Sequence, residues 1–193
     1  MKHARTLLLI APLFLAACGT TQTGGSNTLD ENLGNPLFAQ RYYTDLAEHM
    51  VSLQLREDPI MKDAGKKAVI DRTRANAAEK AQDAIDLNAK GQKGYFISER
   101  DLSLGSVTLV NGMLYFSPDF ISTPGPSLHV YLSDVTDPRQ GEFPDASAVD
   151  LGLLKNIIGA QSFALPEKAA DSYRTVVLWD DDLGIVHGFV QLD

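Results

Sequence analysis

This chain of 193 residues has one cysteine, Cys18, and one tryptophan, Trp179. A single thiol cannot close a disulfide within the chain, nor can it supply the multi-cysteine shells of structural zinc sites. Basic residues are also scarce: 17 Lys and Arg stand against 25 Asp and Glu, a net charge of −8. Nucleic-acid binding relies on lysines and arginines that neutralise phosphates, so no nucleic-acid partner is expected. No apolar run approaches the ~20 residues that a membrane-spanning helix needs. Local catalytic signatures are missing as well. There is no G-x-S-x-G elbow, no H-E-x-x-H and no G-x-G-x-x-G, and Gly65-Lys66-Lys67 lacks the upstream glycine of a phosphate loop.

What the chain does have begins at its start. Lys2 and Arg5 precede an apolar run from Leu7 to Leu15, interrupted by Pro12, and Leu15-Ala16-Ala17-Cys18 follows. The positive, apolar and small-residue regions are those of a secretory signal. The last four residues resemble the lipobox of bacterial lipoproteins. That resemblance implies cleavage before Cys18, thioether lipidation of Cys18 and a new N-terminus there. Loss of Lys2 and Arg5 with the leader makes the net charge two units more negative, so the membrane would hold the protein through lipid rather than through basic residues. Gly19, in place of an aspartate, resembles the outer-membrane sorting pattern. The expected location is the bacterial cell envelope, on the outer membrane facing the periplasm if the organism has two membranes.

The rest divides by composition and period. Residues 1–17 are the expected signal peptide. Residues 18–35 hold the lipidated cysteine and a small, polar stretch that reads as a flexible tether. Residues 36–91 read as a helical hairpin. Asn35-Pro36 and Asp58-Pro59 each put a capping residue before a proline suited to the first helical turn. Phe38, Tyr42, Leu46, Met50 and Leu53 form one stripe. Ala68, Ala75, Ala78, Ala81 and Ile85 form a shallower one, with Gly65 as a candidate kink. Lys66, Lys67, Asp71, Arg72 and Arg74 read as a solvated face. From residue 92 to 193 the period becomes that of strands. Asn111-Gly112 lies between the apolar segments 106–110 and 113–116, which is a strong hairpin signal. Further strands are expected over 128–132, 175–179 and 185–192. The fold class is therefore α+β, a helical hairpin followed by an antiparallel β-sandwich.

Three stretches carry a family resemblance over roughly residues 94–193. They are Gly125-Pro126-Ser127-Leu128-His129-Val130-Tyr131-Leu132-Ser133, then Asp150-Leu151-Gly152-Leu153-Leu154-Lys155 with Gly159-Ala160-Gln161, then Tyr173-Arg174-Thr175-Val176-Val177-Leu178-Trp179. In order and spacing they resemble the DM-thirteen domain, a small extracytoplasmic β-sandwich family also described as an electron-transfer domain. The resemblance implies a redox role resting on a cysteine, as a bare thiol or a haem ligand, just after the tryptophan of the third stretch. Here that position is Asp180. A carboxylate cannot cycle through thiol oxidation states and is a poor haem ligand.

Other candidate chemistry is sparse. Asp180, Asp181 and Asp182 offer oxygen ligands but lack the full calcium-loop pattern, and they read as a solvated turn. His129 and His187 fall on expected strands and lack an obvious third ligand, so no metal site is expected. One exposed and one hydrogen-bonded histidine is the simpler reading. Tyr95, Tyr115, Tyr131 and Trp179 are candidates for a sugar-stacking face or for strand packing. The reading favoured is a non-enzymatic, lipid-anchored binding or interaction module, with Cys18 as the lipidation site and no cofactor. Its partners would be the membrane, through the anchor, and an envelope protein or small ligand. Two alternatives are an electron-transfer or metal/haem-binding domain with non-cysteine ligands, and an envelope hydrolase with an unrecognised carboxylate pair.

Overall fold

The computed structural model describes residues 28–166 and 172–193. The expected signal peptide, Cys18 and the other residues up to 27 lie outside them. At Thr28 the expected tether is already structured. Thr28 caps a short helix, α1 (Leu29–Leu33). Its hydroxyl accepts from the Glu31 amide at 3.3 Å, and the Glu31 carboxylate accepts from the Thr28 amide at 2.7 Å. This reciprocal pairing satisfies two amides that a helix start otherwise leaves open. The tether boundary at 35 is thus corrected: a polar composition concealed a capping box.

Asn35 then caps α2 (Pro36–Leu55), its side-chain oxygen accepting from the Leu37 amide at 3.0 Å and the Phe38 amide at 3.4 Å. The second long helix starts later than Asp58-Pro59 suggested. That pair opens one 3-10 turn, Pro59–Lys62, and Asp63 caps α3 (Ala64–Asn88). Gly65 therefore sits in the first turn and kinks nothing. The buried stripe of α3 is Ile70, Ala77, Ala81, Ala84 and Asn88, of which only Ala81 belonged to the expected one. Alanines at 75, 77, 78, 81 and 84 allow two phases that differ little in apolar content. Asn88 decides between them, donating to the Pro36 carbonyl at 3.2 Å and to Gln40 Oε1 at 2.8 Å. On α2 the stripe from Phe38 to Leu53 is half-buried. The lysine-rich start of α3 is mostly exposed, with Lys67 paired to Asp71 at 2.5 Å. Among the described residues no helix is long and apolar enough to cross a membrane.

Ten strands follow among the described residues: β1 (Gln92–Ser98), β2 (Ser103–Leu104), β3 (Ser106–Val110), β4 (Met113–Phe116), β5 (Ile121–Ser122), β6 (Leu128–Ser133), β7 (Val149–Leu153), β8 (Gln161–Ala164), β9 (Thr175–Asp180) and β10 (Ile185–Gln191). The Asn111-Gly112 turn joins β3 to β4, and both residues adopt positive φ, 51° and 71°, as a tight hairpin of this type requires. The α+β class holds. In place of two separate facing sheets, eight strands form one antiparallel sheet in the order β7-β6-β9-β10-β1-β3-β4-β8. It curls toward a barrel, with β1 joining its two halves. Gln92 to Tyr95 pair with β3, whereas Phe96 to Ser98 pair with β10. Phe116, Phe163 and Leu114 from one end thereby share a core with Val130, Leu132, Val176 and Leu178 from the other.

The helical hairpin meets this sheet near its base. The Asn35 side-chain amide donates to the Phe116 carbonyl at 2.8 Å and the Gln161 carbonyl at 3.4 Å. One buried side chain thus caps α2 and ties it to β4 and β8. Asn35→Ala removes both functions and leaves the Phe116 and Gln161 carbonyls without this donor. It should lower stability by about 2–3 kcal/mol, read as a shift of the urea midpoint with unchanged secondary structure by circular dichroism.

Candidate functional site

The end of the sheet formed by β6, β9 and β10 carries most of the chemically capable side chains, and the sheet divides them between its two faces. Inward-pointing residues alternate with outward-pointing ones along each strand. His129 and Tyr131 on β6 point to one face, while Leu128, Val130 and Leu132 enter the main core. His187 lies at an irregularity of β10, between Val186 and Gly188, on the inner side beside Asp180. The two histidines are therefore not brought together.

On the inner side Asp180 is fully buried, contrary to its reading as part of a solvated turn. One carboxylate oxygen accepts from the amides of Asp182 at 3.1 Å and Leu183 at 3.0 Å. The other accepts from the amide of Ser127 at 3.4 Å. The carboxylate thus organises the β9–β10 turn and fastens the segment leading into β6. The main chain of Gly125 presses so closely that a Cβ there would overlap the Asp180 carboxylate. Asp181 and Asp182 are exposed, as a turn would have them.

His187, 2% exposed, is packed beside this group without a hydrogen bond. Its Nε2 lies 3.9 Å from Asp180 Oδ2, and its Nδ1 lies 3.8 Å from Asp101 Oδ2. Both ring nitrogens and the buried Ser103 hydroxyl lack a hydrogen-bond partner among the described residues. The two nitrogens face different carboxylates, so the three groups do not converge on one point. Among the described residues, no group of three or more His, Cys, Asp or Glu side chains is placed to hold a metal ion.

The outer side is a second, smaller core. Tyr131, Val177 and Phe189 are buried there beneath the segment linking β6 to β7, with Phe143 and Trp179 packed against them. Phe143 meets Tyr131 edge-on at 5.5 Å between ring centres and Trp179 at 5.2 Å. The Tyr131 hydroxyl donates to Asp181 at 3.0 Å. Burial, helped by that bond, pushes the phenol up to about 12. His129 bridges two carboxylates, with Nδ1 3.0 Å from Asp150 and Nε2 3.6 Å from Asp181. It is thus the hydrogen-bonded histidine, but the expected exposed one is corrected: His187 is buried. Of the four aromatic residues considered for stacking, Tyr131 and Trp179 meet here. Tyr95 is 80% exposed on β1 and Tyr115 lies on β4.

The segment covering this face is held by ionic and hydrogen bonds that the sequence motifs did not single out. Arg139 makes a two-point bond with Asp137, at 2.8 Å to each carboxylate oxygen. It also reaches Glu99 at 3.1 Å and lies over the Phe189 ring. Asp145 accepts from the Ser147 amide and from the hydroxyls of Ser147 and Ser133. Beside the segment runs a cleft of about 480 Å³, lined among others by Val135, Pro138, Glu142, Phe143 and Gln191.

The hydrogen bond from Arg139 lowers the Asp137 carboxyl from the usual 3.8 to about 2. Burial acts to raise Asp145, but the bonds from Ser147 and Ser133 outweigh it and its pKa also falls below the usual value. A depressed carboxylate stabilises the fold above its unfolded pKa, and that contribution disappears as pH falls through the folded pKa. The segment should therefore hold from neutral pH to about 4 and loosen toward 2. Trp179 fluorescence should report the change, which Asp137→Asn should flatten. A second expectation concerns the inner side. Gly125→Ala forces atoms into Asp180 and should cost about 1–3 kcal/mol, whereas Gly141→Ala, with open space around it, should leave the urea midpoint nearly unchanged.

The geometry also tests the cofactor that the family resemblance implies. At residue 180, three backbone amides occupy the carboxylate and the Gly125 main chain closes the space beside it. The residues present do not fit a haem liganded there. No curated protein and no solved structure gives a significant match to this chain. A family model described as "Electron transfer DM13" matches residues 96–192, which is half of the chain. These residues run from the middle of β1 to the end of the sheet, with all of the side chains described above from Glu99 to Phe189 inside them. The chain belongs to the DM13 family.

Proposed function

We propose that this protein is a lipid-anchored, extracytoplasmic binding or interaction module built on a DM13 domain and lacking a redox centre at residue 180. The observation that carries this reading is the burial of Asp180 with three backbone amides on its carboxylate. A side chain so engaged acts in folding: it shapes one turn, fastens one entering segment and presents no free ligand atom. The anchor rests on Leu15-Ala16-Ala17-Cys18. A small ligand has a place available in the cleft beside Phe143, whose polar rim includes Asp137, Gln140 and Glu142.

The family description keeps electron transfer as the rival reading, and one observation favours it. His187 is a buried imidazole with two unpartnered nitrogens, and a neutral imidazole is a common metal ligand. Titration with Cu²⁺ and with haemin, followed by absorbance before and after reduction, separates the two readings. The expected spectra show neither a stoichiometric copper band nor a Soret band. A stoichiometric band lost in His187→Ala would overturn the module reading and establish a non-cysteine redox centre. For the anchor, Cys18→Ser should abolish lipid attachment and leave an uncleaved precursor, checked by mass spectrometry of the membrane fraction. An unmodified Cys18 in the wild-type membrane protein would remove the lipid from the proposal.

A further inference from the structure

Outside the main sheet, β2 and β5 form a small ribbon of their own. Ser103 pairs with Ser122 and Leu104 with Ile121. A third segment adds to it, since Ile121 bridges Ile158 and the Ser122 amide donates to the Ile157 carbonyl at 2.9 Å. The ribbon is two-sided. Ser103, Ser122 and Phe120 are buried beneath it. Directly paired residues point to the same side of a sheet, so Leu104, Ile121 and Ile158 share the outer face, and Leu102 extends it by alternation. Leu102 and Leu104 are each 48% exposed and Ile158 is 63% exposed. None of these outward positions carries a charge.

We infer that this aliphatic face rests on the lipid surface to which the chain is tethered, an inference that depends on the lipid anchor at Cys18. Its position on the molecule supports a bilayer as the occupant. Near its first described residues the chain touches the β domain at Asn35, whose side chain bonds the Gln161 carbonyl. Ile158 lies three residues before Gln161, within ~10 Å of chain. The ten residues from Cys18 to Thr28 reach at most ~35 Å. The face therefore lies on the side of the β domain that Asn35 touches, within the range that the anchor allows. Its composition points the same way. Energetically important protein contacts are rich in Trp, Tyr and Arg and poor in Leu, and this face is purely aliphatic. Permanent anchoring also keeps the lipid at high effective concentration, so a weakly apolar face suffices to orient the domain. Exposed charges at the rim carry both signs, Arg100 and Lys155 with Glu99 and Asp119. Seating therefore needs no anionic lipid.

The test uses the full-length lipidated protein carrying Leu104→Cys, labelled with an environment-sensitive fluorophore and reconstituted into phosphatidylcholine vesicles with or without a nitroxide-bearing lipid. Lipidation blocks Cys18, so residue 104 alone takes the label. Glu79→Cys, on the exposed side of α3, serves as the comparison. The label at 104 should shift to the blue and lose most of its emission to the nitroxide lipid, while the label at 79 does neither. Exchanging part of the phosphatidylcholine for phosphatidylglycerol should leave both results unchanged. A label at 104 that stays aqueous while the protein floats with the vesicles overturns the inference and leaves the anchor standing. A blue shift that grows with surface density and escapes the nitroxide also overturns it, by assigning the face to a second copy. If the wild-type protein fails to float and Cys18 reacts with the label, the anchor and the face fall together.

Discussion

The architecture turns on one close approach. At Gly94 a Cβ would overlap the carbonyl oxygen of Gln191, so only a residue without a side chain lets the end of β10 lie against β1 at this point. That contact sets the end of the chain against one edge of β1, where Lys93 and Asp193 exchange backbone bonds at 3.1 Å, while β3 pairs along the other. Without β1 between them, the two halves of the sheet would not be joined. With it, both ends wrap around one set of phenylalanines and leucines. The same curl separates the sheet's inner and outer sides, which decides which polar groups can meet.

Those two sides treat polar groups in opposite ways. On the inner side a carboxylate is buried and fully used by main-chain amides, and its histidine neighbour is packed without bonds. On the outer side the polar groups are linked in series, from Asp150 through His129 and Asp181 to the Tyr131 hydroxyl. Burying a charged group is costly unless hydrogen bonds compensate, and at Asp180 three amides do so. The position that defines redox chemistry in the family resemblance has become a structural fastener here. The domain keeps the DM13 framework while its candidate binding surfaces lie elsewhere, in the cleft beside Phe143 and on the ribbon of β2 and β5.

Much of the fold was legible because its signals are local. The Asn111-Gly112 hairpin, the proline-started α2 and the alternating β6, β9 and β10 each follow from a few adjacent residues. The family's three stretches are equally local, and they placed Asp180 at a special position. What could not be read depends on distant partners. The phase of α3 is fixed by Asn88 bonding across to α2, and β1's place between β10 and β3 is fixed by contact with the end of the chain. The site was legible only in its members. The sequence put His129 and His187 on strands and Asp180 in a turn, but their neighbours and the inner or outer side followed from register and from the irregularity at His187. Arg139, Asp137 and Asp145 carried no motif, although Asp137-Pro138 repeats the capping signal seen twice earlier.

The helical hairpin has a mechanical character of its own. Helices of 20 and 25 residues extend about 30 and 37 Å at 1.5 Å per residue, yet they are fastened to the sheet near one end, through Asn35 and the short link from Asn88 to β1. Most of their packing is against each other. A structural unit bonded mainly within itself opens independently of its neighbour and with a lower free energy than the whole. The hairpin is therefore a lever with its fulcrum at Asn35, and a force or partner acting on its far turn, Arg56 to Asp63, has its greatest leverage on the carbonyls of Phe116 and Gln161, where the rim of the sheet begins.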